Sequence, residues 1–99
     1  MDTISEQRFL ESLEREAPTA ELPPLLQAIR HGLRGEWEPA HRIAQTVDDA
    51  DGAWVHAWLH RIEGDLANAG YWYRRAGKPA ATESTDAEGW AIARALLER

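Results

Sequence analysis

Ninety-nine residues, 43% hydrophobic and 28% charged, suffice for one domain with one modest core and exclude a second. A net charge of −6 disfavours attraction to phosphate backbones or anionic lipid, so neither nucleic acid nor membrane is an expected partner. The lack of cysteine excludes a disulfide framework and thiolate chemistry, while five tryptophans require an interior and argue against disorder.

The first predicted element is an N-terminal helix over 3–16. Thr3 and Glu6 fit a capping box, Leu10 and Leu13 with Ile4 or Phe9 form the apolar stripe, and Pro18 ends the segment. Met1 to Glu6 have neither the basic nor the apolar region of a signal peptide. No apolar run approaches the roughly 20 residues of a membrane helix, so the expected location is the cytoplasm.

A second helix begins near Pro23 and Pro24, since proline is tolerated in a first helical turn, and Leu25, Leu26, Ile29 and Leu33 continue it to Gly35. The third helix is predicted from Trp37 to Val47. Asp48 to Gly52 form a turn in which Asp51 is the expected cap of a fourth helix, reaching Glu63 through Trp54, Val55, Trp58, Leu59 and Ile62. Gly64 breaks that helix and Asp65 caps a fifth, which runs to Ala76. After a linker, Thr85 and Glu88 are read as a capping box for a last helix over 85–98. No segment alternates as a strand would.

Gly35 and Gly64 are 29 residues apart, and at the same offset Ala28 matches Ala57, His31 matches His60 and Ala40 matches Ala69. The chain therefore divides into a first hairpin over 23–47 and a second over 51–76, each a helix, a glycine–acid turn and a helix. Within the second, Gly64-Asp65-Leu66-Ala67-Asn68-Ala69 and Tyr71-Trp72-Tyr73-Arg74-Arg75-Ala76 resemble the turn and second helix of a tetratricopeptide repeat, with Ala57 at the helix crossing. The family's leucine and tyrosine positions on the first helix are held here by His56 and His60. The same region also resembles small bacterial proteins of unknown function. The expected fold is all-α, about six helices, with two tetratricopeptide-like antiparallel hairpins between flanking capping helices. The resemblance implies an interaction module that uses a concave helical face.

Two functional readings follow. As a non-catalytic interaction module, the chain would present Arg30, Arg34, His41, Trp58, Arg61 and Tyr71 to a protein or peptide, or to a second copy in a homodimer. No cofactor is needed for that role. The alternative rests on His56 and His60, four apart and so on one helix face, with Glu63 one turn further on. His31 holds the equivalent place in the first hairpin. If the hairpins pack as the repeat implies, His31, His56, His60 and Glu63 would form a ligand set for a divalent metal such as zinc, in a binding protein or a small enzyme. The competing structural reading is that these imidazoles are satisfied at helix crossings. Asp48, Asp49 and Asp51 lack a complete calcium-loop pattern and read as caps. Phosphate-binding loops, dinucleotide fingerprints and nucleophile elbows are all missing.

Overall fold

The computed structural model describes residues 6–13 and 22–98. Six helices follow one another: α1 (Glu6–Leu13), α2 (Pro24–Leu33), α3 (Trp37–Ala44), α4 (Ala50–Ile62), α5 (Leu66–Ala76) and α6 (Thr85–Leu97). No strand occurs among the described residues. The fold is thus all-α, as expected. The Thr3 capping box, the ends of the predicted first helix and Pro18 fall outside the described residues.

Both glycine turns have the same chemistry. Gly35 and Gly64 adopt φ of 80° and 86°, a left-handed geometry in which an L side chain is strained. At each turn the following amide reaches back five residues, Glu36 N–H to the His31 carbonyl at 2.8 Å and Asp65 N–H to the His60 carbonyl at 2.9 Å. Gly35 and Gly64 themselves donate to Gly32 and Arg61. This paired pattern satisfies the last carbonyls of α2 and α4 and reverses the chain within three residues. α2 consequently lies along α3, and α4 along α5, as the two most closely packed helix pairs.

Two caps differ from the expected residue. Asp49, not Asp51, caps α4, its carboxylate accepting from the Gly52 amide at 2.8 Å. Ser84, not Thr85, caps α6 by accepting from Ala87 at 3.1 Å. In both places several residues able to cap a helix stand close together, and their residue types alone do not select among them. α3 ends at Ala44, three residues before Val47. Asp65 caps α5 as expected, accepting from Asn68 at 3.2 Å.

α4 is the central helix and meets α2, α3, α5 and α6. Val55, Trp58 and Leu59 face the main core with Phe9, Leu26, Ile29 and Ile92, while Ala57 packs beside Ala69 and Tyr73. The Trp58 indole is fully buried, and its Nε1 donates to the Thr85 carbonyl at 2.7 Å. Gly32 on α2 and Gly89 on α6 permit that approach: a Cβ on either would stand 2.6 or 2.5 Å from the indole ring. The Glu88 carboxylate, expected to cap α6, is buried instead. It accepts from Arg61 Nη1 at 2.7 Å and from the Tyr73 hydroxyl, which fastens α6 to α4 and α5. Burial, followed by the bond to Glu88, raises the Tyr73 pKa well above its ordinary value of 10.0 and keeps it a donor.

Candidate metal centre

A helix surrounded by four others should be apolar on every side. α4 departs from that rule at His56 and His60, which are only 6% and 7% exposed. Burying imidazoles costs free energy unless their nitrogens find partners. Those partners come from α3 and the turn after α4.

The i, i+4 spacing sets the two α4 rings side by side, their centroids 4.9 Å apart and nearly parallel. From α3, His41 enters edge-on, its Nε2 3.0 Å from His56 Nε2. Two neutral imidazoles make that contact as one donor and one acceptor, while two protonated rings would place donor against donor. One ligand nitrogen from each of His41, His56 and His60 lies within 4.8 Å of the others.

The rings are held from behind. Trp37 stacks on His41 with centroids 4.6 Å apart and is itself fixed by a bond from its Nε1 to the Leu59 carbonyl at 2.6 Å. Trp72 stacks on His56 at 4.0 Å and 11°. Glu63 accepts from His60 Nδ1 at 2.8 Å, which leaves Nε2 as the free ring nitrogen. A carboxylate behind an imidazole in this manner selects the tautomer and raises the basicity of the opposite nitrogen, as it does behind metal-bound histidines.

The electrostatics favour the neutral form of His41 and His56. Burial, then the charges of His41 and His60, push His56 down from 6.5 to about 4. Burial and the His60 charge also lower His41. Neutral imidazole is the form that binds a metal.

His31 stands apart from this group. Its Nδ1 bonds to Glu36 Oε1 at 2.7 Å at the first turn, much as His60 bonds to Glu63 at the second. The anticipated set of His31, His56, His60 and Glu63 is therefore corrected: His41 takes the place of His31, and Glu63 supports His60 from behind. Glu63 and Asp65 also form a second, more exposed group with His60.

The anticipated partner face is also redrawn. Trp58 and Arg30 are buried, so neither is open to a partner. Arg61 is bound to Glu88 and to the Glu83 carbonyl, and Arg34 to Glu36 and the Leu13 carbonyl. His41 belongs to the imidazole group, and Tyr71 alone of that set is exposed, at 45%. Pattern reading missed the role of Trp37 and Trp72 as backing for the rings. The available signal was the Trp37–His41 spacing of four on one helix.

Comparison with known protein families, with curated proteins and with solved structures gives no match. No helix among the described residues is long and apolar enough to cross a membrane.

Proposed function

We propose that this protein binds a divalent transition-metal ion through His41, His56 and His60. The observation that carries the reading is the convergence of three imidazole nitrogens, two from one helix and one from its neighbour, within 4.8 Å. Two nitrogens on one tetrahedral zinc, each at about 2.0–2.1 Å, stand about 3.3 Å apart. His41 and His56 are already at 3.0 Å, so modest side-chain rotation brings in the third. An all-nitrogen set suits zinc, copper, nickel or cobalt rather than magnesium or calcium.

Titration calorimetry of untagged protein with zinc(II) at pH 7.5 tests the reading. One equivalent binds, and His41→Gln weakens it by more than about 100-fold, since His41 is a direct ligand. Glu63→Gln costs roughly tenfold, the scale of a lost supporting carboxylate. His31→Gln binds as the wild type does. Equal losses from His31→Gln and His41→Gln would reject the site.

A second reading, an interaction module with tetratricopeptide-like hairpins for a protein, a peptide or a second copy, draws on α5. Leu66 is 68% exposed and Tyr71 45%, both on the helix whose Ala69 and Tyr73 pack beside Ala57 of α4. Sedimentation of the protein at micromolar concentration is expected to give a dimer that Leu66→Ser dissociates. A monomer at every concentration would remove self-association from this reading.

A further inference from the structure

Three imidazoles fill three positions of a tetrahedral ion, and no fourth imidazole or carboxylate among the described residues joins the group of His41, His56 and His60. The remaining position falls to water or to a ligand from outside, the arrangement of a reactive rather than a structural site. A cleft of about 240 Å³ adjoins the group, and His56 is part of its wall. Ala44, Val47, Ala53 and Trp72 supply the apolar part of its wall, and Gln45, Asp48, Asp49 and Arg75 the polar part. The Trp72 ring that lines the cleft is the one stacked on His56, and the Arg75 guanidinium lies 5.2 Å above that ring. The cleft is smaller than the roughly 300–1,000 Å³ of sites for drug-sized molecules.

Its charge depends on the ion. Asp48 and Asp49 line the cleft with Arg75, two carboxylates against one cation. Asp49 is committed to the Gly52 amide as the α4 cap. Counted over these side chains the metal-free cleft has a net charge of minus one, and a dication at the rings turns it to plus one. An anion is thus disfavoured before the metal is present and favoured after it.

We infer that this cleft admits a small organic carboxylate to the open position of the bound ion, an inference that rests on the metal-site reading. The carboxylate replaces water on the metal, its short apolar part lies against Trp72 and Val47, and Arg75 adds a second cation along the route.

Cobalt(II) serves as the probe ion, because its visible bands report coordination. Acetate added to the protein loaded with one equivalent of cobalt(II) is expected to change those bands to saturation, and azide to do the same. Arg75→Ala, at an exposed residue, should raise the apparent Kd for acetate about five-fold, the scale of one partly screened charge. Bands that form but ignore both anions would overturn the inference and leave the metal site standing. Absence of the bands would overturn both. Equal acetate affinity in Arg75→Ala would reject the cleft as the route.

Discussion

Replacing Trp58 with alanine is expected to cost about 3–5 kcal/mol of folding stability, the range for removing a large aromatic side chain from a core. The fully buried indole contacts Gly32 and Gly89 of two other helices, so its loss leaves a void between α2, α4 and α6 rather than at the surface. The bond to the Thr85 carbonyl goes with it, leaving that carbonyl without its indole donor at the start of α6. A domain of this size has about 5–15 kcal/mol in total, so the variant would sit near the threshold of folding. Urea denaturation followed by far-UV circular dichroism measures the difference. Trp58→Phe should lose less, since it retains part of the ring volume. A cost below about 1 kcal/mol for Trp58→Ala would show that the three helices do not meet on this side chain.

Acid should weaken the metal-free protein, with His56 as the principal titrating imidazole. In the unfolded chain an imidazole takes up a proton near 6.5, whereas burial holds folded His56 neutral down to about 4. Between those values the unfolded state binds the extra proton, so stability declines as pH falls through the interval and levels off below it. Above 6.5 both states are neutral and the contribution is flat. The full loss from His56 is at most about 3 kcal/mol, and the lowered His41 acts in the same direction. Denaturant midpoints compared at pH 7 and pH 4.5 in wild type and His56→Gln check the effect. The variant should show the shallower decline. Identical slopes would mean that His56 is not held neutral by the fold.

The helical architecture was legible because it rests on local chemistry. Gly35 and Gly64 sit where only a residue free to adopt positive φ can close a helix, and apolar spacing around them marks the buried faces. His56 and His60 were legible as a pair for the same reason, being four residues apart on one helix. The third member was not. The repeat points to His31 as the counterpart of His60, but 29 residues before His56 stands Gln27, and 29 after His41 stands Gly70. Neither copy therefore repeats the other's imidazoles in full, and His31 bonds to Glu36 at its own turn. His41 joins because α3 packs against α4, a contact between hairpins that periodicity within a hairpin does not contain. Glu88 shows the same limit. Its spacing from Thr85 fits a cap, yet its carboxylate finds Arg61 and Tyr73, residues 27 and 15 positions away.

Imidazoles that simply satisfy one another at a helix crossing would have no reason to hold an ion, whereas a binding site must. X-ray absorption at the zinc edge of protein carrying one equivalent separates the two most directly. A metal site at these three residues gives a shell of three imidazole nitrogens at about 2.0–2.1 Å with one further light-atom ligand, reduced to fewer imidazoles in His41→Gln. An oxygen-only shell, or one with the same number of imidazoles after His41 is replaced, would contradict it.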